Sequence, residues 1–360
     1  MTTGMPADTA TTTDVLDIDG QPRGRQGSTP VDRRRRAVLA GLAASLCATG
    51  AFAQSAPTAD VAHLDKPIRI IVAYGAGGAS DSIARFVAEG LNRRLDKPAI
   101  VENKPGADGN LAAEAAAHAP ADTHTLLVSG SSTHAANVTI YRKLPFDPEA
   151  DFTPLATMAI SPYALLVNPK RVQATTFGEF LASAKASNEP LTYASAAVGS
   201  RITGELMKKR TGLRLVNVPY KASSQAMTDL IGGQLDYYWC DMATALPQIQ
   251  ANTVRALAIS SAQRDPALPN VPTMIESGFE NFDVSSWIAI WSANGSTPPA
   301  TSKLLSRLIG ETLESPEGRR FLLGKGLTPT PVAPSHLLEL QRRDTRVWGE
   351  IIIDAGMRQP

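Results

Sequence analysis

The feature that most constrains the fold is the switch of hydrophobic period inside residues 68–95, IRIIVAYGAGGASDSIARFVAEGLNRRL. A β-branched run, Ile68 to Val72, passes through a glycine-rich turn and continues as Ile83, Phe86, Val87, Leu91 and Leu95, apolar residues at helical spacing. Ser80 and Asp81 fall in the first helical turn, where side-chain oxygens satisfy orphan backbone donors. A strand that runs through glycines into a helix aims free N–H groups at a small anion. The partial positive charge of the helix start adds ~0.3 to 2 kcal/mol for a carboxylate or phosphate. A purely structural tight turn is the competing reading. A nucleotide site is disfavoured, because Gly75 and Gly77 are followed by Ser80 where the dinucleotide pattern has its third glycine, and no Gly-Lys-Ser/Thr follows.

The amino-terminal part reads as an export signal. Arg33 to Arg36 precede an apolar, alanine-rich run, residues 37–52, too short for a permanent anchor, and Ala51-Phe52-Ala53 before Gln54 has the small-x-small form of a cleavage site. Arg35-Arg36-Ala37-Val38-Leu39 has the twin-arginine arrangement with arginine in place of the usual preceding Ser or Thr, so the twin-arginine and general secretion routes both remain. Residues 1–53 are therefore expected to be a disordered leader and a cleaved signal peptide, leaving about 307 residues, room for two lobes. Cys47 departs with the signal, and Cys240 alone has no disulfide partner. A formal net charge of +1 argues against nucleic acid as a partner, and no second apolar stretch reaches spanning length.

Beyond residue 95 the theme repeats: short apolar strand, small polar loop, amphipathic helix. Residues 125–128 and 191–194 read as strands leading into Ser129-Gly130-Ser131-Ser132-Thr133-His134 and Ser195-Ala196-Ala197-Val198-Gly199-Ser200. Further strands are expected at 216–220, 235–240, 254–259 and 287–293, and helices at 224–231, 300–313, 316–323 and 336–355. Alternation of this kind implies an α/β fold with a parallel sheet, whose ligands sit beyond the carboxyl ends of strands. Each Ser/Gly loop taken singly is an ordinary linker; three together can converge on one cleft.

Several segments, in this order, resemble the Bug-type solute receptors of tripartite tricarboxylate transporters: Lys66-Pro67-Ile68-Arg69-Ile70-Ile71-Val72, Ala76-Gly77-Gly78-Ala79-Ser80-Asp81, Val101-Glu102-Asn103-Lys104-Pro105-Gly106-Ala107, Leu144-Pro145-Phe146-Asp147-Pro148, Val218-Pro219-Tyr220-Lys221, Ala245-Leu246-Pro247 and Leu268-Pro269-Asn270-Val271-Pro272-Thr273. The resemblance implies a type II periplasmic binding-protein fold, two α/β lobes joined by two crossing strands. Lobe one would hold residues 66–163 and 287–360, and lobe two residues 164–286. It also implies a monomer in the periplasm that takes up a small organic carboxylate (a di- or tricarboxylate, an aromatic acid or an acidic amino acid). The receptor would pass it to integral-membrane transporter subunits, with no cofactor, metal or catalysis. Carried onto matching positions, the ligand-binding set is Tyr74, Gly77, Gly78 and Asp81 in the first loop, Ser131, Thr133 and His134 in the second, and Ser195, Gly199 and Ser200 in the third. Departures are visible: Ala73-Tyr74-Gly75 replaces a Pro-aromatic-Pro turn, and the third loop is about two residues short, with Arg201-Ile202-Thr203 where a His is usual. The frequent family aspartate aligns with Cys240, which would displace Asp241 from the cleft.

The same residues have blander roles to weigh. Asp81 serves equally as a cap of its own helix, and as a ligand contact it would repel an anion unless otherwise engaged. His134 either donates to ligand or stabilises its loop, the five histidines having no metal-binding spacing. Arg201 fits a solvated helix start better than a pair with a second ligand carboxylate, and Cys240 fits a buried small hydrophobe better than a nucleophile. Tyr74, Tyr238 and Trp239 either face an aromatic acid or pack the core. A hydrolase lacks its Gly-x-Ser-x-Gly elbow, the residues around Ser200 being Val198-Gly199-Ser200-Arg201-Ile202. A receptor that delivers its closed form to a signalling membrane protein is the remaining alternative.

Overall fold

A strand with both faces covered reads as a nearly continuous apolar run, and in β1 (Ile68–Val72) Ile68, Ile70, Ile71 and Val72 are fully buried while Arg69 reaches out to Glu102. The computed structural model describes residues 64–121 and 123–359; the leader and signal peptide expected at 1–53 lie outside them. β1 pairs in parallel with β2 (Ala99–Asn103) and β3 (Thr125–Gly130). Helix α1 (Ala79–Asn92) packs Ile83, Val87 and Leu91 against Ile68, Ile70 and Val72 on one face. Helix α2 (Asn110–Ala117) brings Ala112, Ala113 and Ala116 to Ile71 and Leu127 on the other.

The sheet is not parallel throughout, as alternation alone suggested. β4 (Phe152–Val167) has sixteen residues, roughly 50 Å of extended chain, enough to serve two sets of strands. Its first part pairs antiparallel with β9 (Ser285–Ala293), which pairs antiparallel with β3. Its last part pairs antiparallel with β7 (Tyr237–Asp241) and β8 (Arg255–Ile259). β5 (Leu191–Ser195) runs parallel to both β7 and β6 (Leu215–Pro219). The resulting order is β2-β1-β3-β9-β4-β7-β5-β6, with β8 beside β4. Register shifts interrupt β4 between Pro154 and Ala156 and between Thr157 and Ala159 along β9, and between Leu165 and Leu166 along β8.

Helices cover the second strand set as well. α4 (Phe177–Ala186), which follows the four-residue α3 (Asn137–Ile140), is fixed by a capping box in which Thr176 and Glu179 exchange hydrogen bonds. α5 (Val198–Thr211), α6 (Ser223–Ile231) and α7 (Met242–Gln250) follow β5, β6 and β7. The last three helices, α8 (Pro299–Glu314), α9 (Pro316–Gly324) and α10 (Pro334–Asp354), each begin with proline, whose missing N–H costs nothing at a helix start. α10 serves both strand sets: Leu337 and Leu340 join the core under β3 and β9, whereas Trp348, Ile351 and Ile352 join the core around Tyr193, Tyr237 and Trp239. Among the described residues no helix is long and apolar enough to cross a membrane.

Candidate functional site

The strand directions locate the site. β3 ends at Gly130 opposite Ile288 of β9, which in turn lies opposite Ala159 of β4. β7 runs the other way and ends at Asp241 opposite Tyr163, four residues further along β4. The two parallel sets therefore point their carboxyl ends at each other across the middle of β4. These ends carry the loops singled out in the sequence, and ligands of open α/β sheets sit beyond such ends.

In the first loop Gly77 takes a left-handed conformation (φ +82°), and Gly75 to Gly78 are exposed, so the corner is open. The Gly77 N–H is already engaged, donating to Asp81 Oδ2 at 2.8 Å. Asp81, 4% exposed, also pairs with Arg85 one turn on at 2.9 Å. Burial alone would raise its carboxyl, but hydrogen bonds from Arg85, Gly77 and Asn103 outweigh that and hold it below the ordinary range. Asp81 is thus engaged by its own loop and helix, Oδ2 accepting from Gly77 and Arg85 and Oδ1 paired in charge with Arg85, which answers its expected repulsion of an anion. The backbone donors left at this corner are those of Gly78, the N-cap, and of the first turn of α1, which have no intrahelical acceptor. Asn103 ties the loop down by donating to the Tyr74 carbonyl at 3.1 Å. Tyr74 is half-buried, its hydroxyl 3.4 Å from that of Thr133, and burial raises its phenol.

In the second loop Ser131 reaches the middle of the crossing strands, its hydroxyl 3.3 Å from that of Ser286. Thr133 is fully buried and donates to the Asp108 carbonyl at 3.0 Å. His134 is fully buried too, stacked on Trp291 at 3.9 Å and edge-on to Phe152, with Nδ1 2.9 Å from the Ser129 hydroxyl. Its Nε2 has no partner, and burial pushes its pKa down to about 3. Thr133 and His134 thus hold the turn after β3 from within: the chain turns helically after Gly130 and carries both side chains inward.

The third loop places Ser195 at the end of β5, its carbonyl accepting from Tyr220 N–H at 2.8 Å. Gly199 and Ser200 lie in the first turn of α5, whose N-cap, Ala197, offers no side-chain acceptor. A Cβ on Gly199 would fall on the Tyr163 hydroxyl, so only glycine lets α5 start this close to β4. Ser200 donates its hydroxyl to the Trp239 carbonyl at 2.7 Å. Arg201 lies on the face of α5 shared with Glu205, near the Tyr193 phenol that donates to Glu205 at 2.9 Å.

Asp241 has a local role in the structure. It closes β7, caps α7 by accepting from Thr244 N–H at 3.0 Å, accepts from the Ser223 hydroxyl at 3.2 Å and keeps partial exposure. Cys240 instead points into the core with Ala164 and Leu166, and burial pushes its thiol well up, the behaviour of a small hydrophobe. Tyr238 and Trp239 are core residues. Sequence reasoning passed over Tyr163 and Ser286, which join the two strand sets beneath these loops: the Tyr163 phenol lies beside Ser286 and within electrostatic reach of Asp241 and Tyr74, and burial raises it strongly. The dipeptide Ser285-Ser286 ahead of an apolar strand was the available signal. A cavity of about 890 Å³ lined by Thr153, Asn294, Pro298 and Lys303 lies at the amino end of β4, away from this convergence. Among the described residues no group of three or more His, Cys, Asp or Glu is placed to hold a metal ion.

Two α/β strand sets whose carboxyl ends meet over shared crossing strands define a periplasmic binding-protein fold. The likeness extends to sequence. The family model described as the tripartite tricarboxylate transporter family receptor matches residues 83–357, and the chain belongs to that family. BugT of Bordetella pertussis is 32% identical over 307 residues, 84% of this chain and 94% of BugT. An R. palustris protein solved with adipate superimposes with a TM-score of 0.72 at 28% identity, covering 81% of this chain and 98% of that one. MatC from Rhodopseudomonas palustris with bound malate gives a TM-score of 0.67 at 29% identity over 80% of this chain and 99% of MatC.

Proposed function

We propose that this protein is a monomeric periplasmic receptor that captures a small organic carboxylate without chemical change and hands it to the integral-membrane subunits of a tripartite transporter. Residues 66–163 with 287–360, and residues 164–286, act as lobes that close on the ligand by bending at β4 and β9. Residues 1–53 direct export and are removed. The observation that carries the reading is that strands of both sets end facing each other across the middle of β4, and that α1 and α5, which follow strands of the two sets, start without side-chain caps. One ligand carboxylate takes the amides of Gly78, Ala79 and Ser80. Ser131, Ser195, Gly199 and Ser200 complete the site from the other loops. A site divided between two lobes orders itself only when a ligand bridges them, which makes closure a report of occupancy. The adipate- and malate-bound relatives support a carboxylate as the ligand class.

The test is a thermal-shift screen of di- and tricarboxylates, aromatic acids and acidic amino acids on the mature protein. A ligand that binds only the folded state adds ~2.7 kcal/mol at a hundredfold excess over its dissociation constant, a clear rise in Tm. Failure of every carboxylate to raise Tm, with the protein folded, contradicts the proposal.

A further inference from the structure

The loops over β4 hold two acidic side chains in different electrical states. Asp81 is neutralised by Arg85. Asp241 has no Lys or Arg nitrogen within 4.0 Å among the described residues; only Thr244 N–H and the Ser223 hydroxyl donate to it, one to each oxygen. A carboxylate has about four acceptor sites, so acceptor capacity remains on both oxygens. Partial exposure leaves that capacity open to a ligand. Asp108, exposed on the turn beside Tyr74 and accepting from the Tyr141 hydroxyl at 3.0 Å, adds a second negative charge on the opposite side. Arg201, the cation considered for a second ligand carboxylate, stands one turn before Glu205 on α5 within electrostatic reach of the Tyr193 phenol, its buried Nε without a hydrogen-bond partner.

We propose that Asp241 selects a ligand with one carboxylate: the end that reaches β7 carries a hydrogen-bond donor (an ammonium, hydroxyl or primary amide) in place of a second carboxylate. The inference rests on the carboxylate-receptor reading above and narrows it. Asp241 stands opposite Tyr163 on β4, and Tyr163, Ser286 and Ser131 form a continuous row from there to the end of β3. A ligand whose first carboxylate sits at the start of α1 and whose body spans this row presents its far end to Asp241. A second carboxylate there meets a like charge in a partly desolvated site, whereas a donor completes the hydrogen bonding of Asp241. On this account the chain departs from its adipate- and malate-bound relatives, whose ligands are diacids.

The experiment uses pairs of equal shape that differ only in the charge of one end: succinate and succinamate, adipate and adipamate, terephthalate and terephthalamate. Calorimetric titration of the mature protein is expected to show the monoamide of the accepted pair binding about tenfold or more tightly than the diacid, the scale of one like-charge contact at a partly solvated site. Asp241→Asn keeps the α7 cap, since asparagine caps as well as aspartate, and is expected to bring that ratio down by about tenfold. A diacid bound more tightly than its monoamide, or a ratio that Asp241→Asn leaves unchanged, overturns this inference while the receptor reading stands. Failure of these six, and of every other carboxylate in the thermal-shift screen, to bind the folded protein overturns both.

Discussion

Acid should weaken this protein through one buried imidazole. His134 is fully enclosed by Trp291, Phe152 and Phe146, and its pKa is pushed down to about 3 by burial. Protonation would place a charge and an unpaired Nε2–H among aromatic rings, since Nδ1 already uses the one nearby hydroxyl, Ser129. In the unfolded chain the same imidazole titrates near ~6.5. Between those two values the unfolded state binds a proton that the native state refuses, so stability falls as pH drops below ~6.5 and continues to fall until about pH 3. From pH 7 to pH 4.5 the loss from this group is about 2.5 kcal/mol. Urea unfolding of the wild type and of His134→Gln at both pH values isolates it: the variant keeps a polar partner for Ser129 but does not titrate. The wild type is expected to lose about 2.5 kcal/mol more than the variant between pH 7 and 4.5. Parallel pH profiles for the two proteins, or an NMR titration of His134 with a midpoint near ~6.5, would refute the reasoning.

Two substitutions probe the frame that holds the loops. Gly130→Ala would put a Cβ 2.5 Å from the Trp287 carbonyl oxygen, which is backbone and cannot turn aside. The expected cost is ~1 to 3 kcal/mol in urea unfolding, and an unchanged midpoint would contradict the packing described. Asp344 is buried and accepts from Trp287 Nε1 and from Arg343 Nε, both at 2.8 Å. Asp344→Ala leaves the Trp287 indole N–H without its acceptor while Arg343 keeps Asp283, and should cost ~1 to 3 kcal/mol, whereas an unchanged urea midpoint would show that the indole finds another partner.

Much of this arrangement was legible in the residue order. The strand-to-helix switch at Gly77 and Gly78 declares itself because the apolar period changes there, and the strands expected at 216–220, 235–240, 254–259 and 287–293 form within about two residues of those bounds. The carboxyl-terminal helices were equally plain, with a proline at the start of each and an apolar stripe behind it. β4 was not legible. Both its faces are covered, it carries Pro154 and Pro162, and its register shifts break any alternation, so its sixteen residues have no strand period to find. Side-chain direction within the loops was the other gap. The i,i+4 pair Asp81 and Arg85 signalled that the carboxylate was committed to its own helix, a cue available in the sequence. The inward turn of Thr133 and His134 depends on packing far apart in the chain and has no local pattern, and the meeting of Tyr163 with Ser286 left only the dipeptide Ser285-Ser286 as a local sign.

In the proposed receptor one ligand carboxylate is gripped by main-chain amides at the start of α1 while the loop into α5 closes on it from the other side. The direct measurement is an amide-resolved NMR titration of the mature protein with its tightest-binding carboxylate. The account predicts that the resonances of Gly78, Ala79 and Ser80, and those of Val198, Gly199 and Ser200, move together and saturate at a single dissociation constant equal to the calorimetric one. Saturable binding that leaves both sets in place and shifts residues around Pro298 and Lys303 instead would contradict it.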